Sequence, residues 1–264
     1  MKLLALDFDG VISDSAPEAF VVALRTWCEL DPDSPFRDRR ALLDGPGAPA
    51  LEAIASEPLY ADFLAAMPLG NRAEDYAVEL SAAQGGVTLA DQAAYDRYKA
   101  SLDPAALRRF HKRFYQVRAL MADADAAGWH RLMSAYPGVP ELLRRRARDV
   151  VLAIATSKDR RSVGKLLAAY GVADLFPEGR ILDKEAGVSK RTHLERLAGE
   201  HACAFEEMTF VDDKVNHLDS VAPLGVRCGL AGWGYNGERE AALARAAGYC
   251  VLSLDGLEAQ LFAG

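Results

Sequence analysis

MKLLALDFDGVISDS, residues 1–15, is the stretch that decides the fold. Leu3, Leu4, Ala5 and Leu6 form an apolar run without alternation, which suits a central strand of a parallel sheet covered on both faces. The polarity then inverts. Asp7 and Asp9 stand two apart with Gly10 directly after, so two carboxylates arrive where the strand ends and the backbone has to turn. In open α/β sheets that carboxyl edge is where ligands bind. Two readings compete for Asp7-Phe8-Asp9-Gly10. One is turn chemistry alone, because Asp and Gly end many strands. The other is a nucleophile followed by a proton shuttle, in which one carboxylate attacks an electrophile and the second protonates the leaving group and later activates water. Like charges this close call for a cation beside them, and a set of carboxylate oxygens suits Mg²⁺.

The rest of the chain bounds the choice. Its 264 residues can bury a sizeable core, and with half of them hydrophobic and no low-complexity or charge-block segment, a folded chain is expected throughout. A net charge of -7 argues against a nucleic-acid partner or an anionic membrane, so an anionic substrate has to be drawn by local positive groups. Cys28, Cys203, Cys228 and Cys250 lie far apart without CxxC spacing, and read as small core residues in a reduced cytoplasm. The N-terminal apolar run, interrupted by Asp7, is too short for a signal peptide or a membrane span.

Beyond Ser15 the pattern is helical. Phe20, Val21, Leu24, Trp27 and Cys28 recur at helical spacing, residues 31–49 read as irregular, and short helices are expected near 50–66, 72–83 and 90–100. Asp103-Pro104 caps and opens the strongest helix, with Leu107, Phe110, Phe114, Val117 and Met121 in one stripe and an end near Gly128. No strand is expected between Ser15 and Tyr136. After Tyr136-Pro137-Gly138-Val139-Pro140, strand and helix alternate: strands at Val150–Ala155, 180–182, Met208–Val211, Val226–Leu230 and Tyr249–Leu252, helices between most of them. Alternating βα units predict an α/β fold with a doubly wound parallel sheet. The expected division is a discontinuous core of residues 1–14 and 137–264 with an inserted all-helical domain at 15–136.

Three further strand ends carry polar groups. Thr156-Ser157 follows the Val150–Ala155 strand; Ser157 suits an N-cap for the helix at Arg160, and Thr156 could present a hydroxyl to an anion at the edge where Asp7 lies. Ser189 suits an N-cap, which puts Lys190 and Arg191 in a first helical turn, where the dipole disfavours cations by a few tenths of a kcal/mol each. A carboxylate nucleophile or a bound phosphate nearby would justify that ammonium; Lys184 is a weaker candidate for the role. Phe210-Val211-Asp212-Asp213 ends a strand in two acids, which opposite Asp7 and Asp9 would complete an oxygen site for Mg²⁺. His217 and, by a longer reach, Asp219 lie near one face of the helix that follows, with His217 placed to support the site from behind.

DFDGV, the AT(S) strand end, SK before a helix, and VDD, in this order, resemble the haloacid dehalogenase (HAD) superfamily. The resemblance covers the α/β core. The inserted helical region matches in location the C1-type cap of the subgroup that includes phosphoglycolate phosphatase and β-phosphoglucomutase. It implies that Asp7 is the nucleophile forming an aspartyl phosphate and that Asp9 is the general acid/base whose carbonyl also touches Mg²⁺. It implies further that Thr156 and Lys190 hold the phosphoryl oxygens, and that Asp212 and Asp213 bind or orient the metal. Many members carry GDxxxD at the fourth motif; here Asp212 replaces the Gly, and Asn216 and His217 stand where the last acid would be, which leaves open which of the pair touches the metal. Members resembling haloacid dehalogenases lack the second acid of DFDG, and phosphonate hydrolases carry a different residue there and a cap lysine. With both acids present, and with Lys99 and Lys112 the only lysines between Ser15 and Tyr136, phosphoryl chemistry is favoured.

Gly232-Trp233-Gly234-Tyr235-Asn236-Gly237 matches a GxGxxG dinucleotide fingerprint, with Asp255 roughly twenty residues on. Too little chain follows Asp255 for the further βαβ units such a domain requires, so it reads as a tight loop bordering the site. Gly10 and Ser157, with Asn71, Arg72 and Arg118 from the helical region, are the substrate-contact candidates. The expectation is a cytoplasmic, Mg²⁺-dependent phosphatase acting on a small phosphorylated metabolite. The alternatives are a phosphomutase or phosphotransferase using the same Asp, against which Ala19 and Phe20 count where mutase-like members tend to place a histidine, and a catalytically silent binding protein.

Overall fold

The computed structural model of the protein describes residues 1–70, 72–177, 179–187 and 189–262. The chain divides into two compact units, Met1–Asp14 with Ser134–Gly264, and Ser15–Met133. The first is built on a six-stranded sheet of β1 (Leu3–Leu6), β4 (Val151–Ala155), β5 (Ile181–Leu182), β6 (Met208–Asp212), β7 (Arg227–Ala231) and β8 (Cys250–Leu252), in the order β5-β4-β1-β6-β7-β8. Every pairing is parallel. Leu3, Leu4 and Ala5 are fully buried, as are Ala153, Ile154 and Ala155 of β4, so the continuous apolar runs seen in the sequence serve a sheet shielded on both faces.

The strand order sets where chemistry can sit. From β1 the chain builds outward through β4 and β5 on one side, then crosses back and builds through β6, β7 and β8 on the other. The crevice at the carboxyl ends of β1, β4 and β6 is therefore the topological switch point, where such sheets hold ligands. Register brings the ends level: Leu6 lies beside Ile154 on one side and Val211 on the other. Past Leu6 the backbone turns tightly, with Ile12 N–H and Ser13 N–H both donating to Phe8 O at 2.9 Å and Gly10 N–H donating to Ser13 O at 2.8 Å. The short β2 (Ser13–Asp14) then pairs antiparallel with β3 (Ser134–Ala135).

The helical unit is cored by aromatic rings in sequence: Phe20 on Phe63, Phe63 on Tyr76 and Tyr76 on Phe114, with centroids 5.2–5.5 Å apart. Its Pro104–Ala124 helix buries Phe110, Phe114, Val117 and Met121, the stripe its spacing predicts. Among the described residues no helix is long and apolar enough to cross a membrane.

Several expectations need correction. A strand does exist before Tyr136: β3 is two residues long, too short to carry a period. The 50–66 helix is two, Leu51–Ala55 and Pro58–Ala66, because the Glu57 carboxylate caps Leu59 N–H and Pro58 opens a new first turn. The long helix stops at Ala124, where Asp125 caps the next one through Gly128 N–H at 2.8 Å. Short helical turns at Pro35–Asp38 and Arg40–Leu43 lie in the segment read as irregular, and a helix at Leu257–Phe262 was not anticipated. Cys28, Cys203 and Cys228 are buried, but Cys250 is exposed on the edge strand β8, so it is not a core residue.

Candidate active site

Asp7 leaves β1 with its N–H on Val211 O at 2.9 Å, a ladder bond continued from β6 that fixes the direction of its side chain. Its Oδ1 accepts from Phe8 N–H at 2.7 Å and lies 2.8 Å from Lys190 Nζ. Lys190 opens the helix Lys190–Glu200, and Ser189 caps it by accepting from Thr192 N–H. The Lys190 ammonium also reaches Asp212 Oδ2 at 3.2 Å and donates to Ala155 O at 2.7 Å. An ammonium has three hydrogens, and here each finds an oxygen, which is how a charge this deeply buried is sustained. The cation that the helix dipole disfavours is thus held by two carboxylates and a main-chain carbonyl from three different strand ends.

The charges are shared unevenly. Burial works against ionisation of Asp212, but Lys190 and His217 outweigh it and hold its carboxyl well below the usual range. His217 Nδ1 lies 3.0 Å from Asp212 Oδ1, which also accepts from Lys214 N–H at 2.9 Å. Asp7 moves the other way: burial raises it, Lys190 offsets this incompletely, and Asp212 adds repulsion. Lys190 itself is raised, since its two carboxylates outweigh the cost of burying it. Asp212 is therefore the fixed counter-ion of Lys190, and Asp7 is the less stabilised carboxylate.

Asp213 behaves differently from its neighbour. Its Oδ2 accepts from Tyr235 N–H at 3.0 Å, whereas its buried Oδ1 has no hydrogen-bond partner among the described residues. Burial, together with the charges of Asp212 and Asp7, pushes its carboxyl up to about 7, although Lys214 pulls it down. Gly10, at φ 82°, passes so close that a Cβ there would lie 2.5 Å from Asp213 Oδ2. A buried acid with one orphaned oxygen among other acids is suited to a divalent cation. Asp7, Asp212 and His217 also bring ligand atoms within 4.8 Å of one another. The Lys190 ammonium already lies against two of those three, so a second cation at that point would meet like charge, whereas the Asp213 Oδ1 could take one.

Asp9 projects its Oδ1 to Lys158 Nζ at 2.9 Å. Lys158 was not singled out from the sequence, although its place two residues past Thr156 puts it in the turn at the same edge. Thr156 is buried, with its N–H on Leu182 O at 2.9 Å and its Oγ1 accepting from Lys158 N–H at 3.1 Å. Ser157 is exposed and does not cap the next helix; Asp159 does, accepting from Ser162 N–H at 2.9 Å, because a cap sits directly before the first turn. Lys184 is exposed, and Asp219 turns away to accept from Tyr249 OH at 2.7 Å, so it adds nothing to the acid cluster.

The remaining substrate candidates lie in the helical unit. Asn71 falls outside the described residues. Arg72 is exposed at the start of the Ala73–Gln84 helix. Arg118 holds the fully buried Glu18 in a bidentate pair, both bonds 2.7 Å, with Trp129 Nε1 donating to the same carboxylate and the guanidinium stacked 4.8 Å from the Phe114 ring. Its fork is committed to the interior of that unit.

A parallel sheet that presents DFDG, a buried lysine between carboxylates and a strand-ending acid pair at its switch point defines the haloacid dehalogenase-like hydrolases. Residues 1–225 match the family model of that description, and the chain belongs to this family. Among solved structures it is similar to the haloacid dehalogenase-like family protein SP0104 from Streptococcus pneumoniae (14% identity, TM-score 0.65, 99% of this chain and 98% of that one). It is also similar to a predicted phosphoglycolate phosphatase from Haemophilus somnus 129pt (17% identity, TM-score 0.61, 97% and 96%). Likeness at these identities concerns the fold. Tyrosine-protein kinase PtkA of Mycobacterium tuberculosis is 31% identical over 125 residues, 45% of this chain and 41% of the relative, so the chain spans well under half the length of that curated protein.

Proposed function

We propose that this protein is a Mg²⁺-dependent phosphatase that hydrolyses a small phosphorylated metabolite in the cytoplasm through an aspartyl phosphate on Asp7. The observation that carries the reading is the buried Lys190 ammonium, 2.8 Å from Asp7 and 3.2 Å from Asp212, at the mouth of the sheet's switch point. A positive group there can meet both a carboxylate nucleophile and the phosphoryl oxygens it attacks.

In this reading Asp7 attacks phosphorus and forms a new P–O bond as the bond to the leaving oxygen breaks. Asp9, the more exposed acid, gives that oxygen its proton, so the product leaves as an alcohol. Asp9 then takes a proton from water, which attacks the same phosphorus, breaks its bond to Asp7 and releases inorganic phosphate. Thr156 and Lys190 hold the phosphoryl oxygens, Asp212 keeps Lys190 charged and in place, and Gly10 lets the turn pass close enough to seat Asp213. Asp7, the Asp9 carbonyl and Asp213 would hold the metal, whose chemistry is to neutralise charge between the carboxylates and the phosphoryl group.

A second reading, transfer of the phosphoryl group to another acceptor, is favoured by the likeness to a tyrosine-protein kinase. One assay separates them. A panel of phosphorylated metabolites is incubated with and without Mg²⁺, and free phosphate and phosphorylated products are both measured. The phosphatase reading expects phosphate release from at least one small ester and at least a hundredfold fall on chelation, on the order of the contribution of one electrostatic group. Phosphoryl transfer without free phosphate would replace it with the second reading, and no turnover of any ester would favour a silent binding protein.

A further inference from the structure

The loop from Gly232 to Gly237 has the spacing of a dinucleotide fingerprint, but its polar groups face inward. A pyrophosphate-binding loop needs free amide hydrogens. Here Gly232 N–H donates to Leu252 O at 3.0 Å, Gly234 N–H to Ala231 O at 2.9 Å, and Tyr235 N–H to Asp213 Oδ2 at 3.0 Å. Asn236 uses its side-chain amide in the same direction: Nδ2 donates to Asp213 O at 3.1 Å and to Ala231 O at 2.8 Å. The two hydrogens of one NH₂ group thereby tie the residue after β6 to the last residue of β7. Gly234 is required by contact, since a Cβ there would collide with Asp213 Cβ and Gly10 O. Asp213 is thus held between two glycines, its main chain pinned by Asn236 and one carboxylate oxygen bonded, while its Oδ1 lacks a hydrogen-bond partner among the described residues.

We propose that the Gly234–Asn236 loop is the positioning element of the divalent-cation site, fixing the single Asp213 orientation that leaves Oδ1 for the cation, and that Asn236 thereby sets metal affinity. The inference rests on the metal-dependent reading above. Residues that orient a metal ligand typically contribute tenfold to a hundredfold in affinity. Gly234 and Tyr235 act through space and main chain, so Asn236 is the side chain whose removal tests the idea with least disturbance.

The experiment measures Mg²⁺ binding by the rise in melting temperature across a Mg²⁺ titration, for the wild-type protein, Asn236→Ala, Trp233→Phe and Asp213→Asn. Trp233 lies in the same loop and donates to Val11 O at 3.1 Å, beside the Gly10 turn, with no hydrogen bond to Asp213 among the described residues, so it reports general disturbance of the loop and the turn without loss of the Asn236 tie. Expected results are a Mg²⁺ midpoint raised roughly tenfold in Asn236→Ala, no shift in Trp233→Phe, and turnover of Asn236→Ala restored at saturating Mg²⁺. An unchanged midpoint in Asn236→Ala, or an equal shift in Trp233→Phe, would overturn the positioning role while leaving the metal reading intact. A wild-type protein that Mg²⁺ does not stabilise, behaving like Asp213→Asn, would overturn both.

Discussion

Asp7→Asn is expected to lower phosphate release by roughly four orders of magnitude or more while leaving the fold in place, because in the proposed mechanism it removes the attacking group. The amide keeps the shape of the carboxylate and can still accept from Phe8 N–H and Lys190 Nζ, but its oxygen is a poor nucleophile. Stability should change little. Burial and Asp212 already work against the charge of Asp7, so a neutral group there loses the attraction of Lys190 and is relieved of the repulsion. The check is initial-rate phosphate release at saturating Mg²⁺ beside a thermal melt. A variant that folds like the wild type and retains more than about a hundredth of its rate would show that Asp7 is not the nucleophile.

Lys190→Met is expected to cost about 3 to 5 kcal/mol of stability as well as most of the activity. It keeps the apolar stem but strands the two buried carboxylates of Asp7 and Asp212, and an uncompensated buried charge is far more costly than the pair it replaces. Phosphate release should fall by roughly a hundredfold to a thousandfold, the loss seen when one charge-stabilising donor is removed. Denaturant titration measures the first effect and initial rates the second. Adding Asp212→Asn removes one stranded charge, so the double variant should regain part of the stability and none of the activity. A single variant as stable as the wild type would show that the ammonium is not what balances this cluster.

The strand ends were legible because the sequence marks them sharply: Asp7 after Leu6 and Asp212 after Val211 each break an apolar run at a carboxyl edge, and parallel pairing then brings those edges together. Lys190 was legible for a different reason, as a cation set against a helix dipole that only a nearby anion explains. The division of labour between Asp212 and Asp213 was not. It depends on which side chain meets Lys190 and His217 and which meets Tyr235 N–H and Gly10, partners distant in the chain that no local pattern announces. Lys158 escaped notice because its partner Asp9 is 149 residues away. Arg118 looked like a candidate for substrate because its partner, Glu18, lies 100 residues earlier and a buried acid is not visible as such in a polar-looking first helical turn. The GxGxxG spacing misleads for the same cause: glycines permit close approach to anything, and here what approaches is Asp213 and the Gly10 turn.

The claim on which the account stands is that Asp7 carries the phosphoryl group between substrate and water. The direct measurement is to quench the protein in acid during turnover of a phosphate ester found in the panel, digest it, and locate the phosphoryl group by mass spectrometry. The account predicts a peptide containing Asp7 heavier by one phosphoryl group, absent in Asp7→Asn. A phosphoryl group found on any other residue, or substrate turnover with none trapped on the protein, would contradict it.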